Sequence, residues 1–340
     1  MSDKQFDADY LHKEIQQARS YTGLDKETGD SETVPLGYVP IALSSQGNMF
    51  APDFVHARSF KTGDMAHLSL LRADRLPENN IRVIRSVLHE DSDPAHWHIK
   101  EIIEFLLKHY LTYFGAILKD VPWPVNDDDR EHLKNKDEDQ YNALQKGDYV
   151  PRVDVDITQL KFKELDKPSR TITIKPRSGE GEFKFRMPQF GDVVTLRTYM
   201  KAEFGASDAT YEAVRQAMES GSVDSQQQQE YQEYIGEKLE VASNVNMALL
   251  LREVDGIPIE SLEHALKFVT EDPRFDYSLS KKLKETCDIV ADKFGVDENV
   301  TLKNPVTNKK VTRRLQFRLY DILKAILVSE PDTYDVVIDS

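Results

Sequence analysis

The stretch "SDPAHWHIKEIIEFLLKHYLTYFG", residues 92–115, constrains the fold more than any other part of the chain. Ile99, Ile102, Ile103, Leu106, Tyr110, Tyr113 and Ile117 recur at helical spacing. They make one broad apolar face that must be covered. Asp93 can accept from free backbone N–H groups, and Pro94 suits a first helical position, where its missing N–H is not needed. Gly115 sits inside the stripe and predicts an end or a bend there. Only 39% of the 340 residues are hydrophobic and 30% are charged. A core therefore has to gather around the few segments that are this apolar.

The rest of the chain divides by pattern. Residues 1–33 hold a possible short helix over Phe6–Arg19 and then "TGLDKETGDSET", too polar to pack, so they read as a flexible N-terminal arm. Residues 34–124 read as a hairpin turning at Gly47 plus the long helix, with Thr62 or Asp64 able to cap a short helix between them. Residues 125–150 are strongly acidic. Seven acids, three bases and one leucine fall between residues 125 and 140, which predicts a solvated linker.

Residues 151–188 read as β-rich. Val153, Val155 and Ile157 share one parity, while Leu160 and Phe162 fall on the other, implying a bulge or turn between the runs. In "RTITIKPRSGEGEFKFRMP" Ile172 and Ile174 should face Phe183 and Phe185 across a Pro/Gly-rich turn. Residues 189–330 read as a helical domain with a small β-hairpin. "GDVVTLRTYMKAEF", capped by Asp192, and "DATYEAVRQAMES" are two helices. A long third helix should stop at Gly256, and "SLEHALKFV" and "LSKKLKETCDIVADKFG" follow. "VTLKNPVTNKKVTRRLQF" is a hairpin turning near Asn304-Pro305 or Asn308, "RLYDILKAILV" a last helix, and residues 331–340 a tail. The fold class predicted is α+β: an N-terminal hairpin/helix unit, a central β-hairpin, and a mostly helical C-terminal part with a small terminal hairpin.

A formal charge of -15 opposes general nucleic-acid binding, because phosphate contact needs a basic surface. No apolar run approaches the ~20 residues of a membrane span. The acidic start Met1–Tyr10 lacks the pattern of a signal peptide. One cysteine, Cys287, can form neither an internal disulfide nor a cysteine metal cluster. These features predict a soluble protein of a reducing cytoplasm.

Recognisable catalytic or cofactor chemistry is scarce. The loop Ser44-Ser45-Gln46-Gly47 lacks the glycines of a G-x-S-x-G elbow, and a strand rather than a helix follows it; it reads as a turn. His89, Asp91, Asp93, His96 and His98 cluster, but His96 and His98 are two apart, roughly 200° around a helix. Metal ligands on one helix want i and i+4. Asp127-Asp128-Asp129 lacks the alternating spacing and glycine of a calcium loop. Cys287 reads as a small buried thiol. No catalytic residue, cofactor or metal site is expected, and the chain does not read as an enzyme. The patch "KKVTRRLQFR" stands apart: Lys309, Lys310, Arg313 and Arg314 are basic in an acidic chain. They either meet an acidic neighbour or discourage unwanted pairing along a strand edge.

"VPIALSSQGNMFAPDFVHARSFKTGDMAHLS" resembles the opening of the baseplate hub subunit family of T-even-like contractile-tailed bacteriophages. There a segment of the form LPS-x-G-x-x-Y is followed by a strand and a T-x-x-D/E helix start. Leu43-Ser44-Ser45-Gln46-Gly47 and Phe50 stand at the matching places, with Thr62 and Asp64 near the helix start. "FRMPQFGDV" is similar to the strand-to-helix step that opens the second half of such proteins. "LLREVDGIPIESLEHALKFVTEDP" resembles the helical region shared by baseplate and tail-assembly proteins. Relatives often carry paired cysteines after the long N-terminal helix and again in the C-terminal hairpin, suggesting metal knuckles. This chain departs there, with "VPWPVND" and "NPVTNKK".

The resemblance implies a structural component of a phage tail baseplate, at or near the hub. Its expected partners are other phage baseplate and tail proteins, met in multiple copies in a symmetric assembly. It would reside in the virion and, during assembly, in the host cytoplasm. The alternative is a tail-assembly chaperone absent from the finished particle.

Overall fold

The computed structural model describes residues 37–61, 63–64, 76–89, 92–176, 181–219, 222 and 224–328. The N-terminal arm, most of the short helix after Thr62, and the tail 331–340 lie outside them. Among the described residues the chain order is β1 (Val39–Ala42), β2 (Phe54–Ala57), α1 (Leu76–Val87), α2 (Ile99–Tyr113) and β3 (Ile117–Pro122). Then come α3 (Asp127–Lys136), α4 (Glu138–Lys146), β4 (Arg152–Asp156), β5 (Phe162–Lys163), β6 (Thr171–Ile174) and β7 (Phe183–Arg186). The order continues with α5 (Phe190–Glu219), α6 (Ser225–Leu250), β8 (Leu251–Val254), β9 (Ile257–Pro258), α7 (Leu262–Glu271) and α8 (Tyr277–Ala291). It closes with β10 (Gly295–Val296), β11 (Asn299–Lys303), β12 (Lys310–Arg314) and α9 (Leu319–Val328). Helices and small antiparallel sheets make this an α+β chain. No helix among the described residues is long and apolar enough to cross a membrane.

Two compact units form. Of the described residues, the first takes those within 1–93, 99–166 and 293–340, and the second those within 94–98 and 167–292. The sequence boundaries differ from this, because β10, β11, β12 and α9 belong with the N-terminal elements. They do so because β10 pairs with β5 (Val296 opposite Phe162) and α9 packs on α2 and β3.

In the first unit α2 also packs on β1 and β10. Ile102, Phe105, Leu106, Leu107 and Tyr110 are buried along it, and it ends before Gly115, whose φ is +101°. The helix begins at Ile99 rather than at Pro94, which instead opens a one-turn 3-10 helix, Pro94–His96. Ile99 and Ile117 are exposed, while Glu101, Glu104 and His109 are buried. An amphipathic stripe predicts one covered side; α2 is covered nearly all round. The β1–β2 hairpin sets Ile41 opposite Val55, both buried. β3 pairs with β4 through a register shift between Leu118 and Val121, where Asp120 takes a φ of 59°.

The acidic segment after β3 is two helices, not a linker. Asn126 and Asp129 form a capping box for α3, Asp137 caps α4, and Gly147 closes α4 with a φ of 80°. The caps stabilise helices whose apolar content would not.

The second unit carries a four-stranded sheet in the order β6-β7-β8-β9. Ile172 faces Phe185 and Ile174 faces Phe183, as the alternation predicts, and β8 adds Val254 opposite Phe183. Two expectations change here. The two helices after Phe190 are one 30-residue helix, α5, since no proline interrupts it and Gly205 only weakens it. The long helix α6 stops at Leu250, and Leu251–Val254 becomes a strand. Gly256 therefore closes a hairpin rather than a helix: Asp255 and Gly256 have φ of 53° and 83°, a two-residue turn between β8 and β9 of the kind that Asp-Gly favours. α5 packs on α6 through buried Phe204 and Tyr234, and Tyr211 stacks on Tyr234 at 4.3 Å.

Phe183 is fully buried, 4.7 Å from the Phe275 ring, so Phe183→Ala should lower the unfolding free energy by about 3–5 kcal/mol. Urea titration of wild type and variant checks this.

Candidate functional site

The serine loop is tied into the first unit by buried hydrogen bonds. The Leu43 N–H donates to the Asp53 carbonyl across its neck, and Gln46 and Gly47 turn it with φ of 49° and 68°. A Cβ on Gly47 would stand 2.7 Å from Asp53 Oδ1, a contact the exposed Asp53 side chain can relieve, so it is the positive φ that calls for glycine there. Inside the turn Ser44 is buried. Its backbone N–H donates to Glu104 Oε1 at 2.8 Å and its hydroxyl donates to Glu104 Oε2 at 2.5 Å. The same hydroxyl accepts from the Gly295 N–H at 3.1 Å.

Glu104 has no exposed surface, and its charge is met by Lys108 one helical turn on, Nζ to Oε1 2.7 Å. Lys108 also donates to the Ala42 carbonyl and lies over the Phe162 ring. Glu101, equally buried, accepts from the Ala51 N–H at 3.0 Å. The loop thus ends on carboxylates of α2, and Ser44 does more than shape a turn. No sequence signal marks these contacts, because their partners stand far apart in the chain.

His109, on the same helix, is enclosed by the rings of Phe60, Phe105, Tyr113 and Phe114. Its Nε2 lies 2.9 Å from the Arg58 carbonyl, which can only accept, so Nε2 carries the proton. Nδ1 is buried with no hydrogen-bond partner among the described residues. Burial lowers the imidazole pKa to about 4, against the support of the Arg58 carbonyl and with the Arg58 charge adding to the depression.

The histidine cluster is dispersed. His89 meets the Tyr38 ring edge-on, and Asp93 pairs with Arg85 in the first unit. His96 is exposed and His98 buried in the second. Asp91 lies outside the described residues. Among the described residues no group of three or more His, Cys, Asp or Glu could hold a metal ion. Cys287 is buried in α8, and burial, with Asp288 beside it, pushes its thiol up to about 11.

The acidic triplet and the C-terminal turn meet. Asp129 is 1% exposed and Asn304 2%. Asn304 Nδ2 donates to Asp129 Oδ1 at 2.6 Å, and the Trp123 indole N–H donates to Oδ2 at 3.2 Å. Asn304 Oδ1 accepts from the Val306 and Thr307 N–H groups, which shapes its own turn. "VPWPVND" and "NPVTNKK" are thereby clasped side by side.

The basic residues split by face. Lys309, Lys310 and Arg314 are exposed, and Arg314 pairs with Glu298 at 2.9 Å. Arg313, opposite buried Val300, is half-buried, with its Nε enclosed. No family model, curated protein or solved structure matches the chain.

Ser44→Ala removes one donor from a buried carboxylate and should cost about 1–3 kcal/mol. Glu104→Ala strands a buried Lys108 stem and should cost about 3–5 kcal/mol. Chemical denaturation of both variants reads this ordering. The pH profile should carry His109's mark. Its folded pKa lies below its unfolded one, so its contribution is fully present above about pH 6.5. Between there and pH 4 the unfolded state binds the extra proton and stability falls, by at most about 3 kcal/mol for a shift from 6.5 to about 4. Unfolding followed across that window should steepen with acid in wild type and be flatter in His109→Gln.

Proposed function

We propose that this chain is a structural component of a phage contractile-tail baseplate, at or near the hub, and that it acts by docking on neighbouring baseplate and tail proteins. The observation that carries the reading is the clasp of Asp129, Trp123 and Asn304. The resemblance to baseplate hub subunits puts metal knuckles at those same two segments. Here they lie together, held by an amide, an indole and a carboxylate instead of cysteines. A docking role also fits the second unit's helical pair, which leaves Val193 and Leu239 48% and 66% exposed, although isolated apolar residues at a surface are common.

Antibody raised against the purified chain should label the distal end of contractile tails in purified particles. Label confined to assembly intermediates would mark a chaperone, and label on neither would overturn the reading. Lys309 and Lys310 are the cleanest probes of a docking surface, since Arg314 already has Glu298 and Arg313 is half-buried. Lys309→Glu with Lys310→Glu should cut incorporation into particles by about tenfold or more while leaving the melting temperature within about 2 °C, because exposed charges add little to folding. Undiminished incorporation would leave them as solvated edge charges.

A further inference from the structure

The free edge of β6 carries an inference of its own. In the sheet order β6 is terminal, paired on one side only, with β7. The Arg170 carbonyl accepts from the Met187 N–H. Antiparallel ladders alternate bonded and non-bonded pairs, so the next bonded pairs are Ile172 with Phe185 and Ile174 with Phe183. The backbone N–H and C=O groups of Thr171 and Thr173 then point away from the sheet. Among the described residues no strand pairs with them.

The usual protections of such an edge are an inward charge, a proline, a bulge or a covering element. β6 is short, at four residues, its edge side chains are threonines, and Lys175 and Pro176 come only after the strand has ended. The first half of α8 comes up against β6 without pairing with its backbone. Between them runs an open groove of about 960 Å³, lined by Thr173–Pro176 on one side and Tyr277–Leu279, Lys281 and Lys282 on the other. That volume is at the upper end for a small-molecule pocket, and Thr173, whose peptide groups point away from the sheet, is part of its wall.

The chemistry of the groove selects its occupant. Lys175, Lys281 and Lys282 are exposed along it, and Lys281 and Lys282 have no ion pair among the described residues. The acids nearby are in part committed: Asp276 caps α8 by accepting from the Leu279 N–H, while Asp255 and Asp272 hold Arg274. Glu285 is, with Asp276, one of two acids that line the groove. Four bases, Lys175, Arg274, Lys281 and Lys282, thus line the groove against these two acids, in a chain of charge -15. Tyr277, 82% exposed at its lip, offers a large aromatic contact of the type that anchors interfaces.

We infer that the groove between β6 and α8 binds an extended acidic segment of a partner protein, which adds to the sheet as a strand beside β6. Its backbone bonds to the open groups of Thr171 and Thr173. Its acidic side chains meet Lys281 and Lys282. Main-chain pairing of this kind supplies affinity and the flanking side chains supply selectivity. A nucleic acid would satisfy the lysines but not the peptide groups of the edge. The assignment goes beyond the baseplate reading and does not rest on it.

The test uses the purified full chain and a labelled ten-residue peptide in which Asp and Val alternate, followed by fluorescence anisotropy. Saturable one-to-one binding is expected. N-methylation of every second amide, in either register, should weaken it about tenfold or more in the register that faces β6. Lys281→Glu with Lys282→Glu should weaken it similarly and turn preference toward a Lys/Val peptide. Thr173→Pro should abolish binding with the fold retained, because that N–H has no partner in the sheet and edge strands tolerate proline. Should that variant not fold, the methylated peptides on the wild-type chain still decide. Equal binding of both methylated peptides, no saturable binding up to about 1 mM, or displacement of the peptide by an equal concentration of oligo(dT) would overturn the inference.

Discussion

The fully buried carboxylate of Glu104 is the constraint around which the first unit is built. A charge without water must be met by other charges and donors, or the fold carries a cost of several kcal/mol. The chain meets it with Lys108 from the same helix and with both the N–H and the hydroxyl of Ser44. Each of these is committed elsewhere as well. Lys108 reaches the Ala42 carbonyl, and Ser44 accepts from the Gly295 N–H. One carboxylate therefore fixes α2, the β1–β2 hairpin and the start of β10 relative to one another. An apolar residue at position 104 could fill the same space but would hold none of the three in register.

Much of this lay outside what local pattern can report. The pairing of Ile172 and Ile174 with Phe183 and Phe185 was readable, because period-two alternation and a Pro/Gly turn are both local. The β11–β12 hairpin and α9 were readable for the same reason. Glu101, Glu104 and His109 were not, since a charged residue in a helix is normally solvated and only distant partners make its burial tolerable. The acidic run after β3 misled through composition: its caps, Asn126, Asp129 and Asp137, weigh more than its lack of an apolar face. At "LLLREVDG" helix and strand propensities both hold locally. The strand wins because β7 presents Phe183 and Phe185 as partners for Val254 and Leu251.

The candidate sites fared differently. Side chains that look reactive in the sequence are held in structural bonds, Ser44 by Glu104 and Asp129 by Asn304 and Trp123. The outward peptide groups of β6 and the exposed Lys281 and Lys282 are, by contrast, features that no motif announces.

The clasp of Asp129 and Asn304 has a consequence for how the first unit can be put together and taken apart. A tetrathiolate metal knuckle in its place would draw on a binding free energy of about 10–16 kcal/mol and would open only by ligand exchange or chelation. A carboxylate–amide bond contributes about 1.5–3 kcal/mol, and water alone can compete for it. The two turns it joins are therefore held together without a delivered ion, a reductant or an oxidant. The clasp itself closes by fit and hydration alone, since none of its three side chains is a thiol.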